Sequence, residues 1–138
     1  LPEVDMKAWG SSTPDGPLLG CRGVAEQMQN ANIGLNVKEV IGMGHTVMGW
    51  FASGRPVITG MNKIRQYGMD LVKLFEPGVT CYDLDNGQDI NGHCTNLRQM
   101  LEPEVNIKMC ENAYARFNEV INYDEEEAQI RQFLGDIL

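Results

Sequence analysis

The sequence predicts an all-α fold: a compact bundle of five or six helices with an irregular N-terminal arm and two disulfides. Three observations predict it. Apolar residues recur at spacings of three and four along most of the chain, and no segment alternates apolar and polar over a strand's length. Helix-start signals, either proline or an Asx/Glu pair at capping-box spacing, stand before several periodic runs. Four cysteines, an even count without a CxxC pair, suit structural disulfides better than a zinc knuckle or a thioredoxin-type motif.

Residues 1–16 read as the irregular arm, because Ser11-Ser12-Thr13-Pro14-Asp15-Gly16 is turn chemistry. Pro17 then suits the first position of a helix to about Asn30, with Leu18, Cys21, Val24, Ala25 and Met28 on one face. Asn36 and Glu39 have the spacing of a capping box for a second helix to about Phe51, which Ser53-Gly54-Arg55-Pro56 ends. In the third segment Val57, Met61, Ile64, Gly68, Leu71 and Phe75 form a seam at spacings of 4, 3, 4, 3 and 4, closed by Pro77-Gly78. An acidic and amide-rich connector, residues 79–94, follows. Thr95 is the expected cap of a short helix with Leu97, Met100 and Leu101 inward. Glu102-Pro103 opens a further helix carrying Cys110, Ala113, Phe117, Val120 and Ile121 on one face. Asp124 and Glu127 cap the last helix, which is expected to bury Ile130, Phe133, Leu134 and Ile137.

The cysteines are expected to pair. Cys94 and Cys110 lie eight residues either side of Glu102, so a chain reversal there brings them to one height on a helical hairpin. That favours Cys94 with Cys110 and Cys21 with Cys81; the rival connectivity is Cys81 with Cys94 and Cys21 with Cys110. Paired cysteines point to a secreted protein or another oxidising compartment, while the opening Leu1-Pro2-Glu3 fits equally a chain matured by signal-peptide removal and one otherwise shortened.

The 138 residues fit one domain, residues 1–138, long enough to bury a core. A net charge of −8 argues against nucleic acid and anionic membrane surfaces, and every apolar stretch is too short to span a bilayer.

In the stretch TCYDLDNGQDINGHCTN, Asp83, Asp85 and Asp89 form a weak set of oxygen ligands for calcium. The register fails: counted from Asp83, an EF-hand places Asp or Asn fifth, Gly sixth and Glu twelfth, where this chain has Gly87, Gln88 and Cys94. A surface connector without metal is expected. Met43, His45 and Met48 make no copper site, since residue 43 does not share a helix face with the other two. No haem ligation is expected at His45, and His93 is the only other histidine. The chain lacks Gly-x-Ser-x-Gly, His-Glu-x-x-His and a recognised phosphate loop, so no catalytic residue and no cofactor are assigned.

These readings converge on a secreted, non-enzymatic binding protein that acts through a protein partner, as an inhibitor, effector or ligand. The alternative is a carrier of a small apolar molecule in a pocket lined by Met43, Met48, Met61, Met69, Gly42, Gly49 and Gly68. An enzyme is the third and least supported class.

Overall fold

A computed structural model describes residues 4–8, 13–17, 20–37, 45–66 and 70–137, the side chains of His45, Asp70, Asp136 and Ile137 excepted. It corrects the fold class. The architecture is mixed: helices predominate, and a small three-stranded parallel sheet lies among them. The order is α1 (Gly20–Asn30), β1 (Gly34–Asn36), α2 (His45–Ala52), β2 (Val57–Thr59), α3 (Met61–Gln66), a 3-10 helix (Asp70–Leu74), β3 (Cys81–Asp83), α4 (Ile90–Leu101), α5 (Pro103–Val120) and α6 (Tyr123–Ile137).

The strands run in sequence order, β1-β2-β3, and pair in register. Gly34 lies beside Val57 and Val57 beside Cys81; Leu35, Ile58 and Tyr82 form the next row, and Asn36, Thr59 and Asp83 the last. The two segments expected to be helical each open instead with a strand. Asn36 closes β1 and caps no described helix; its supposed partner Glu39 lies outside the described residues. In the 57–75 seam, Val57-Ile58-Thr59 is a β-branched run that fits a pleated, buried surface, and Gly60 then lets the chain turn into α3. The seam still names core residues: Val57, Met61, Ile64 and Phe75 are all buried.

Both faces of the sheet are covered. Val57 and Cys81 join Val47 and Phe51 of α2, Met61 and Ile64 of α3, and Ala113 and Phe117 of α5 in the larger core. Tyr82 packs with Met100 of α4 and Met109 of α5 in a smaller one, edged by Ile33, Ile58, Leu84 and Leu97. Helix α5 therefore serves both clusters.

Helix α2 ends in a Schellman motif. The Arg55 N–H reaches the Trp50 carbonyl and the Gly54 N–H that of Phe51, both at 2.9 Å, with Gly54 at φ +64. The turn aims Arg55 at the end of α1, where its Nη2 donates to the Gln29 carbonyl, and its Nη1 lies 3.6 Å from the Cys110 sulfur. Buried Asn106 adds a second tie to this region, exchanging hydrogen bonds with Asn32 at 3.3 Å.

The remaining helix boundaries shift for local reasons. Helix α4 starts at Ile90 because Asp89 caps it, accepting the Gly92 N–H at 2.8 Å; Thr95 lies inside the helix and bonds the Asn91 carbonyl. Asn122, rather than Asp124, caps α6: its Oδ1 accepts the Glu125 N–H at 3.1 Å, and its amide reaches the Glu125 carboxylate at 3.4 Å. Every described α6 side chain, 123–135, is exposed. The expected burial of Ile130, Phe133 and Leu134 is therefore reversed, and the Ile137 side chain is outside the described set.

The disulfide expectation is also corrected, since all four cysteines are free thiols. Cys21 sits on the exposed side of α1 while Cys81 is wholly buried in the sheet, so those two sulfurs do not meet. Cys94 and Cys110 are half-buried on α4 and α5, but the Cys110 thiol faces Arg55 and Asn106, 3.8 Å from the Asn106 Oδ1. The rival pairing of Cys81 with Cys94 and Cys21 with Cys110 is not formed either. The inference of an oxidising compartment rested on paired cysteines and loses that footing.

Candidate functional site at the carboxyl edge of the sheet

All three strands run the same way, so their carboxyl ends lie together. The last register row places an amide, a hydroxyl and a carboxylate side by side: Asn36, Thr59 and Asp83. Short hydrogen bonds set this edge. The Thr59 hydroxyl donates to the Asn36 carbonyl at 3.0 Å, and the Leu84 N–H donates to the Thr59 carbonyl at 2.8 Å.

The chain then leaves β2 through Gly60 into α3, whose first N–H groups are met from β3. Met61 N–H donates to Asp83 Oδ1 at 3.1 Å and Asn62 N–H to Asp85 Oδ2 at 2.8 Å. Asp83 Oδ1 also takes the Asp85 N–H at 2.8 Å. A Cβ on Gly60 would come within 3.0 Å of Asp85 Oδ2, so glycine permits this close approach. The two carboxylates thus act as acceptors that lock the β2–α3 turn to the β3 loop. Thr59 is buried, Asn36 and Asp83 are half-buried, and Asp85 is exposed at the rim.

Next to this edge, the hydroxyl of buried Tyr82 lies 2.7 Å from His93 Nδ1 in a half-buried contact, with the rings edge-on at 5.7 Å. The Asn86 amide donates to the same hydroxyl at 3.4 Å. This set ties β3 to α4 and to the loop between them.

The three aspartates of the loop are thereby accounted for individually. Asp83 and Asp85 serve α3, and Asp89 serves α4. Among the described residues no group of three or more His, Cys, Asp or Glu side chains converges as a metal-binding set. Calcium at millimolar concentration is expected to leave the melting temperature unchanged. A rise of several degrees, lost in the Asp83→Asn/Asp85→Asn double variant, would instead reveal a cation site, because a ligand held only by the folded state raises its stability.

Of the residues suggested for an apolar pocket, Gly42, Met43, Gly68 and Met69 lie outside the described residues. Met61 is core, and Met48 packs half-buried against that core. At Gly49 a Cβ would come within 2.9 Å of the Met28 sulfur, so glycine there serves a close crossing of α1 and α2. The His45 side chain also lies outside the described set.

Burial, and then the neighbouring Asp83 carboxylate, push the Cys81 thiol up to about 12 from an ordinary 9.0. The unfolded thiol ionises first as pH rises. This group's contribution is therefore whole below pH 9.0 and is lost toward pH 12, at about 1.4 kcal/mol per pH unit within that window. The corresponding labelling experiment has a clear expected result. Near neutral pH a thiol reagent modifies Cys21 at once and leaves Cys81 intact until the chain unfolds, after which all four cysteines react without reductant. Finding two or more of them blocked by disulfides would contradict the structure.

No family model, curated protein or solved structure matches the chain. The functional reading therefore stands on the geometry of the edge.

Sequence reasoning had singled out Asp83 and Asp85 as oxygen donors, but not Asn36 and Thr59. What marks Thr59 is its place at the end of a β-branched triplet, a signal visible only once the triplet is taken as a strand; Gly34-Leu35-Asn36 carries no such mark.

Proposed function

We propose that this chain is a binding unit for a small hydroxyl-bearing molecule, a sugar or a nucleoside, seated along the carboxyl edge of the parallel sheet. The observation that carries the reading is the Asn36–Thr59–Asp83 row, in register across three parallel strands. Open α/β sheets take ligands beyond the strands' carboxyl ends, at the point where the strand order reverses; this sheet runs in sequence order without a reversal, so the reading rests on the side chains of the row itself. A carboxylate and an amide there suit hydroxyl groups: a carboxylate has acceptor capacity beyond the N–H groups that Asp83 and Asp85 already hold, and an amide both donates and accepts. The chain's net charge of −8 disfavours a polyanionic ligand and fits a neutral, hydroxylated one. The assignment is to binding, with no chemical step attached.

A two-dimensional amide NMR titration with glucose, uridine and adenosine tests this reading. Shifts are expected to cluster at Asn36, Thr59–Met61 and Asp83–Asn86 for at least one probe, and to weaken about tenfold in affinity in Asp85→Asn. No shift at millimolar probe, or shifts confined to another face, would overturn it. The protein-partner role expected from the sequence has support from a separate observation on α6.

A further inference from the structure

Helix α6 has the pattern of a helix that packs against something. Ile130, Phe133 and Leu134 fall at i, i+3 and i+4, and Tyr123 falls two turns earlier on the same side. Yet they are 59%, 64%, 49% and 58% exposed. A helix of 15 residues is marginal in water without tertiary packing, so this stripe is the face by which α6 would gain its stability. Ile130 and Phe133 lie with Glu126 and Gln129 around a shallow, open depression on the surface of α6 itself.

The charge around the stripe selects the occupant. Glu126 lies one turn before Ile130, and Glu127 lies three residues before it, so both border the apolar stripe at its N-terminal end. The sequence of α6 holds five acidic residues and one cation, Arg131, which is engaged with Glu127 at 2.6 Å. A second copy of this chain would bring the same acidic border and the same net charge of −8. Like charges set beside an apolar contact oppose pairing, whereas opposite charges steer it. An anionic lipid surface is repelled for the same reason.

We propose that the α6 face is a docking surface for a basic amphipathic helix, in which an apolar stripe covers Ile130, Phe133 and Leu134 and flanking Lys or Arg meets Glu126 and Glu127. The contact is helix on helix: the apolar anchors supply affinity and the rim charges supply choice of partner.

Two synthetic helices with identical leucine stripes, one flanked by lysine and one by glutamate, make the test. Fluorescence anisotropy is expected to show the lysine-flanked peptide binding at least about tenfold tighter. Phe133→Asp is expected to abolish that binding although it adds negative charge, which separates docking from bulk attraction. The residue is exposed, and circular dichroism checks that the helix content is kept. Glu126→Gln/Glu127→Gln is expected to erase the preference for lysine while leaving the leucine-dependent part. Equal affinity for the two peptides, or binding that survives Phe133→Asp, would overturn the proposal. So would a dimer in sedimentation velocity that Phe133→Asp dissolves, because the face would then belong to a second copy.

Discussion

Phe51→Ala is expected to destabilise the chain by about 4 kcal/mol, a large share of what a domain of this size possesses. Phe51 is wholly buried near the end of α2. Its ring meets that of Phe75 edge to face, with centroids 5.2 Å apart and planes at 82°. The larger core around them draws on α2, β2, α3, β3 and α5, so truncation would loosen a cluster that joins five elements of the fold. Losing the aromatic pair removes about 1 kcal/mol beyond the buried area. Phe51→Leu keeps most of the volume and is expected to cost less than half as much. Urea unfolding of the two variants beside the parent gives both values. A loss under about 1 kcal/mol for the alanine variant would mean that the site collapses freely and that Phe51 does not hold α2 to the sheet.

How far the sequence revealed this molecule can be judged at particular residues. Helix α5 was legible: Pro103 opens it, and Ala113 and Phe117, read as its inner face, are buried. The turn at 13–16 was legible too, with the Gly16 N–H bonded to the Thr13 carbonyl. The strands were not. Each is three residues long, too short to display alternation, and a brief apolar run such as Val57-Ile58 is equally consistent with a buried helix. The spacing 57, 61, 64 was read as one helix because Val57 in β2 and Met61 and Ile64 in α3 all enter the same core. Periodicity reports which side chains are buried, and it cannot tell whether one element or two carries them.

The candidate site was hidden for a related reason. Asn36, Thr59 and Asp83 are separated by more than twenty residues at each step, and only the register of three parallel strands joins them. Asp83 and Asp85 did stand out as oxygen-rich. Their actual partners are the N–H groups of Met61 and Asn62, brought near by strand pairing. The error at α6 has the opposite character. Its amphipathic pattern was taken for a buried face, but every described α6 side chain is exposed and no described element of this chain covers it.

Gly34→Ala is expected to cost about 3 kcal/mol, although alanine suits a strand at least as well as glycine does. The reason is steric. A Cβ built at Gly34 would lie 2.4 Å from Trp50 Cδ2 and 2.6 Å from Cε2 and Cγ, far inside contact distance. These atoms belong to the fused part of the indole, near its attachment, where no rotation of a flexible tip can yield. Strand β1 is equally constrained on its other side: the Gly34 N–H bonds the Pro56 carbonyl at 2.9 Å, and the residue pairs with Val57. Either α2 shifts away with Trp50, or β1 moves out of register with β2. The clash predicts strong coupling between the two positions. In Gly34→Ala/Trp50→Leu the smaller side chain vacates the space, so the double variant is expected to lose less than the sum of the single losses, by at least about 1 kcal/mol. Urea melts of the four chains complete the cycle. Additive losses, or a Gly34→Ala chain as stable as the parent, would show that the indole does not press on β1. The same displacement would carry Asn36 away from Thr59, so Gly34→Ala is also expected to weaken whatever hydroxylated probe binds at the carboxyl edge, two residues along the strand.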